Sequence, residues 1–279
     1  MKKLNKISII AILFLVTITL AGCEAMPGNF FGGTGNLQML ITDAPVDNVD
    51  EVNISVEKVE INSSERGWEV FADYTDDPKQ FDLLSLQGVT DILGKSALEA
   101  GQYNQIRLYL SDSNLVKNGE KHDVSIPSEA QTGLKLVNEF TIEKNKVKAL
   151  LLDFDVRKSL IKDEASGAYK MKPTIRVIDR VISGDIEGNL IDSSISDFSS
   201  YAIKVYNGEY NDYTNISDDE ITSTIVNKDG SFKILGLKEG NYTLVVYNIS
   251  DPENETAIKE RIVTITAKET SEIEIDIAQ

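Results

Sequence analysis

Only one of the 279 residues is cysteine, one is histidine, one is tryptophan and six are proline. A single cysteine forms no disulfide within the chain. One Cys and one His cannot assemble the four-ligand sets that hold structural zinc. Basic residues are also scarce: 28 Lys and Arg stand against 45 Asp and Glu, for a formal charge of −17. A surface that acidic repels phosphate backbones, so nucleic acid is excluded as a partner. The sequence lacks a Gly-rich phosphate loop ending in Lys-Ser/Thr, a dinucleotide fingerprint and a Gly-x-Ser-x-Gly elbow. Beyond residue 22 no apolar run approaches the ~20 residues of a membrane span. What is present is 41% hydrophobic residues, largely in period-2 patterns, which argues against disorder.

The amino end opens Met1-Lys2-Lys3-Leu4-Asn5-Lys6, followed by a mostly apolar run from Ile9 to Leu20. That is a basic region followed by an apolar region of signal-peptide length, too short to span a membrane. It ends Leu20-Ala21-Gly22-Cys23, which resembles the lipobox of bacterial lipoproteins. The resemblance implies a signal peptide over 1–22, cleavage before Cys23 and a diacylglycerol on its sulfur. Loss of Lys2, Lys3 and Lys6 with the signal takes the formal charge to about −20. Several acyl chains anchor stably where one does not, so the membrane is an expected partner. The expected location is extracytoplasmic, lipid-anchored to the cell membrane or an outer membrane. Residues 23–35, rich in Gly with one Pro, read as a flexible tether.

Strand signals fill the remainder, and the expected fold class is all-β with a minor helix, arranged as two β-sandwich-like modules. Val52, Ile54 and Val56 alternate, and the step to Val59 and Ile61 breaks the period, which predicts a bulge near Glu57-Lys58. Leu83 to Leu98 carries apolar residues at helical spacing and is the expected helix. A boundary is expected near Val181–Gly184, dividing a module over 36–181 from one over 182–279. The second shows seven strand signals between Gly184 and Ile277, the count of a small sandwich. One pattern occurs in both modules: Leu98-x-x-Gly101-x-Tyr103 and Leu237-x-x-Gly240-x-Tyr242. Each reads as a glycine turn feeding a strand whose tyrosine caps a core edge, its hydroxyl reaching backbone or water.

Several groups, in order, carry a family resemblance for the first module. They include Leu40-Ile41-Thr42-Asp43-Ala44-Pro45, Gly67-Trp68, Gly101 to Leu108, Leu152-Asp153-Phe154-Asp155 and Lys172 to Val177. Together they resemble an uncharacterised bacterial lipoprotein family, domain of unknown function 4382, which implies no activity. Gly184, Gly188, Asp229-Gly230-Ser231-Phe232 and Leu237-x-x-Gly240-x-Tyr242 resemble the carboxypeptidase-regulatory-like, transthyretin-like sandwich. That group includes carbohydrate-binding modules, so sugar binding is an analogy at the level of fold.

Three sets of residues are candidates for chemistry. Asp153 and Asp155 share one face of a strand, and Asp43 joins them if the first strand lies alongside; oxygen ligands of that kind suit Ca²⁺. In the alternative reading Asp43 caps its own Asp-Ala-Pro turn and Asp153 pairs with Arg107, Arg157 or Arg176. Tyr210 and Tyr213, in the polar stretch Asn207–Glu220, are candidate sugar-stacking residues. Trp68 and Phe71 read as core. His122, the only residue available for a catalytic triad, sits in what reads as a hairpin turn. The function expected is non-enzymatic binding, possible partners being a glycan or another envelope protein, or a structural role. The alternatives are a carboxylate-dependent glycan hydrolase and a calcium-stabilised adhesion module.

Overall fold

The computed structural model describes residues 32–44, 49–216, 219–251 and 254–278. The signal-like segment, Cys23 and most of the expected tether lie outside them. The described residues fold as β-sheet throughout, with only one-turn helices, so the chain is all-β. Among them no helix is long and apolar enough to cross a membrane.

Two sheets face each other in the first half. The smaller has the order β12-β9-β1-β5, built from β1 (Thr34–Ala44), β5 (Asp91–Glu99), β9 (Val147–Asp155) and β12 (Ile175–Asp179). The larger is centred on β2 (Glu51–Ser63) and the long β6 (Gly101–Lys117). Around them lie β3 (Gly67–Asp73), β4 (Lys79–Asp82), β7 (Glu120–Ser125), β8 (Leu134–Ile142), β10 (Leu160–Lys162) and β11 (Tyr169–Met171). Alternate residues of each strand meet between the sheets, including Leu37, Met39 and Ile41 from β1 and Leu150, Leu152 and Phe154 from β9.

The bulge expected in β2 is present: the register against β6 shifts between Val56 and Lys58, so Val59 and Ile61 return to the core after Val56. The helix expected over Leu83–Leu98 is not. A single 3₁₀ turn, Leu84–Leu86, leads into β5, which pairs antiparallel with β1. The apolar spacing imitates a helix, but Val89, Thr90 and Ile92 are β-branched, and pairing with β1 satisfies the backbone in extended form. Among the described strands pairing is mostly antiparallel, with three parallel strand pairs, one of them β1 with β9, and a parallel bridge between Asp43 and Gln87.

A separate core lies in the second half. One of its sheets runs β16-β13-β19, from β13 (Ser183–Ile191), β16 (Ser231–Lys238) and β19 (Thr270–Asp276). The other runs β15-β14-β17-β18, from β14 (Tyr201–Asn207), β15 (Glu220–Ile225), β17 (Gly240–Asn248) and β18 (Thr256–Ile265). Ile186, Leu190, Val205, Leu244 and Ile275 fill the space between them.

The repeated Leu-x-x-Gly-x-Tyr pattern has one geometry in both places. Gly101 and Gly240 take φ of +156° and +152°, a region that L side chains rarely adopt. The Tyr103 hydroxyl donates to the Glu99 carbonyl at 3.0 Å, and that of Tyr242 to the Lys238 carbonyl at 3.0 Å. Each phenol thus reaches four residues back and ties its strand to the turn before it.

Candidate functional site

Strand β1 lies beside β9 with Thr42 opposite Asp153, Asp43 opposite Phe154 and Ala44 opposite Asp155. The three candidate carboxylates are therefore neighbours, but Asp43 is one residue out of phase with the other two. Asp43 Oδ1 accepts the Val156 N–H at 3.1 Å, and the Asp-Ala-Pro turn it was expected to cap lies largely outside the described residues. Asp153 accepts from Arg176, Nε at 2.8 Å and Nη2 also in contact. Burial pushes the Asp153 carboxyl above its usual pKa, against the pull of Arg176. Asp155 Oδ1 accepts the Lys158 N–H at 2.9 Å, capping the one-turn helix Val156–Ser159, and Lys158 Nζ stands 3.2 Å from its other oxygen. Among the described residues no group of three or more His, Cys, Asp or Glu could hold a metal ion. The calcium expectation is corrected on this point: protein donors engage each carboxylate.

These carboxylates sit where the two cores meet. Leu150, Leu152 and Phe154 of β9 face the first core, while Leu151 and Ile178 of β12 are buried outside it, against the second half. At Gly236 a Cβ would come 2.7 Å from Ile178 Cδ1 and 3.2 Å from Leu151 Cδ2, so only glycine allows this approach. Glu220 of β15 pairs with Arg157, and Lys158 Nζ donates to the Glu220 carbonyl at 3.0 Å. Lys204, only 8% exposed, pairs with Glu255 and lies 4.0 Å from Glu220. Gln87 Nε2 donates to the Ile225 carbonyl at 2.5 Å. In the connection between the halves, Arg180 clamps Asp185 through two bonds of 2.6 and 2.8 Å. Together these groups form a polar seam around a small apolar contact.

Beside the seam a groove of about 1090 Å³ opens between the Leu84–Val89 loop and the sheet β16-β13-β19. Gln87, Glu187, Asn189, Lys233 and Glu272 line it. Lys233 is paired to Glu187. The hydroxyl of its Ser231 donates to Asp229 within its own turn, at 2.7 Å. This arrangement offers hydrogen bonds to a polar ligand.

The remaining candidates are placed elsewhere. Tyr210 and Tyr213 are half-buried rather than exposed. The Tyr210 N–H donates to Thr243 Oγ1 at 2.8 Å, and Tyr213 opens a 3₁₀ turn capped by Asp212. The polar loop thus folds back on β17. Phe71 is core, whereas Trp68 is half-buried with the Arg107 guanidinium 3.9 Å from its ring centre. His122 is in β7, next to the Asn118-Gly119 turn, with its ring 5.5 Å from that of Tyr169. The sequence reading missed Arg157, Lys158, Lys204 and Glu220 as a set. Lys204 was the available signal, as a lysine inside the otherwise apolar run Ala202-Ile203-Lys204-Val205.

Residues 34–173, half of the chain, match the family model described as Domain of unknown function (DUF4382). The chain belongs to this family. The DUF4382 match begins with β1 and stops short of β12, although β12 completes the smaller sheet. Asp43, Asp153, Asp155, Arg157 and Lys158 lie within the DUF4382 segment, while their partners Arg176 and Glu220 lie beyond it.

No curated protein matches the chain. Among solved structures, the Bacillus anthracis TIE protein is 16% identical over 89% of this chain, with a TM-score of 0.21. This chain spans about a third of that one's length, 34%. The minor pilin GBS52 of Streptococcus agalactiae is 16% identical over 87% of this chain and 95% of its own, with a TM-score of 0.23. The shaft pilin spaA of Lactobacillus rhamnosus GG is 11% identical over 88% and 97%, with a TM-score of 0.27.

Proposed function

We propose that the protein is a lipid-anchored, extracytoplasmic lipoprotein with a non-enzymatic binding or structural role. In this reading the DUF4382 module, 36–181, and a carboxypeptidase-regulatory-like sandwich, 182–279, are held off the membrane by the tether that starts at Cys23. The observation that carries the non-enzymatic part is the seam. Its buried carboxylates and bases are matched to one another between the two cores, an arrangement that fixes geometry rather than poising a group for proton transfer. The anchoring part rests on the basic start, the apolar run and Leu20-Ala21-Gly22-Cys23.

The test is mass spectrometry of the protein extracted from membranes of the cells that make it. A first residue Cys23 carrying a diacylglycerol on sulfur is the expected result, and Cys23→Ala is expected to move the protein into the soluble fraction. An intact, unacylated Met1 end in the membrane-extracted protein would sink the proposal.

A further inference from the structure

A row of apolar side chains crosses the outward face of the smaller sheet, away from the first core. Ile178 is in register with Leu151, Leu151 with Leu40, and Leu40 with Ile92, so one residue from each of β12, β9, β1 and β5 stands in line. None of the four belongs to either core. The second half covers only one end of the row. Ile178 and Leu151 are buried, Leu40 is half-buried and Ile92 is 39% exposed. Beside the contact the two halves stand apart across the groove that runs from the Leu84–Val89 loop to the sheet β16-β13-β19.

An interface within a chain holds its domains rigidly only when it is large and hydrophobic. Here the apolar share is small, Ile178 and Leu151 against Gly236. The charged part of the hold converges on one carboxylate. Glu220, its side chain 12% exposed, pairs with Arg157 and Lys158 of the first half and lies 4.0 Å from Lys204 of its own. Without it, Arg157, Lys158 and Lys204 keep only Asp155 and Glu255 to balance them, and like charges face each other across the seam. The bonds from Gln87 to Thr224 and Ile225 are neutral and weaker. Where the chain crosses between the halves, Val181 and Ile182 are 40% and 50% exposed and belong to neither core.

We propose that the seam is a latch keyed on Glu220. When Arg157 and Lys158 leave this carboxylate, the halves swing apart about Val181–Ile182 with both cores still folded. The Arg180–Asp185 clamp spans this pivot and stays made. Opening brings the buried end of the row, Ile178 and Leu151, into water. The latch goes beyond the binding reading above and stands whether or not the chain is anchored. The test is maleimide labelling of the full-length chain with Cys23→Ala, in which Ile178→Cys or Val246→Cys supplies the only thiol. Position 178 lies in the seam, and position 246 lies in the second core. Each is labelled with and without Glu220→Ala, at low salt and in about 1 M NaCl, where charges are screened within a few ångströms. Thermal melts confirm that each variant is folded. The expected result is labelling at 178 about tenfold faster with Glu220→Ala, as loss of one charge-assisted bond predicts, and faster also in salt, with 246 slow throughout. Labelling at 178 as slow as at 246 in every condition would overturn the latch, because the seam would then open only when the cores unfold. Equal acceleration at both positions would overturn it as well, by making Glu220 a support of the second core.

Discussion

The Gly101–Tyr103 and Gly240–Tyr242 turns share one geometry but not one environment. Tyr103 is stacked on Phe140, with centroids 5.3 Å apart and planes 11° from parallel, and its oxygen also accepts from Arg66 at 2.7 Å. Burial, and then the Glu69 charge, raise its pKa to about 12 while Arg66 works against them. Tyr242 has only its bond to the Lys238 carbonyl, and burial alone raises it. The same local device therefore serves two different ends. In the larger module it joins two sheets of unequal size through a polar network. In the smaller one it closes a sandwich that packs well without such help.

The largest effect is expected at the seam. Asp153→Ala removes the charge-assisted bonds to the part-exposed Arg176 and leaves a hole in a buried site, at an expected cost of about 2–3 kcal/mol. Urea unfolding followed by tryptophan fluorescence reads this out. The sole tryptophan reports the first module and circular dichroism reports both, so separation of the two curves in the variant would show that the seam couples the halves. A loss under about 1 kcal/mol would instead place this pair with ordinary surface bridges.

The tyrosines test the comparison directly. Tyr103→Phe removes the bonds to Arg66 and to the Glu99 carbonyl and is expected to cost about 2 kcal/mol, while Tyr242→Phe removes one bond and costs about 1 kcal/mol. Equal losses in parallel denaturation curves would erase the distinction drawn between the two modules.

The Asp185 clamp gives a pH signature. Burial pushes this carboxyl up, but bonds from Arg180 and the Gly236 N–H outweigh it and hold it below the ordinary range. A depressed folded pKa stabilises above the unfolded value of ~3.9, and that contribution fades as pH falls through the folded value. Asp185→Asn should therefore melt below the parent at neutral pH, the two midpoints converging as pH drops under ~4. A constant difference across that window would remove the clamp from the account. Gln87→Ala, which loses two contacts to β15, at Thr224 and Ile225, is expected to cost about 0.5–1.5 kcal/mol in the same melts. The smallest effect is none: millimolar Ca²⁺ should leave the midpoint unchanged, since a cation bound only by the folded state would raise it.

The two modules also differ in how far the sequence discloses them. The strands of the second follow from alternation, as in Ser231–Lys238 after Asp229-Gly230, or from short apolar runs such as Leu244-Val245-Val246, each bounded by turn residues. In the first, Leu83, Leu86, Leu93 and Ala97 keep helical spacing by accident, and only pairing with β1 decides for a strand. Parallel partnership between β1 and β9 has no local signal beyond the run Leu150-Leu151-Leu152, apolar on both faces as covered strands are. Neighbouring Asp153 and Asp155 were visible as a candidate, with Arg176 among the partners open to Asp153 and Lys158 three residues from Asp155, but Glu220, which meets Arg157 and Lys158 from the second half, is beyond what spacing can bring there.

Both modules begin with a strand flanked on each side, β1 between β5 and β9, and β13 between β16 and β19. A pull on the amino end, along the axis of such a strand, must shear two rows of hydrogen bonds at once and cannot peel an edge one bond at a time. If the chain hangs from its first residues, load enters each half along its toughest direction.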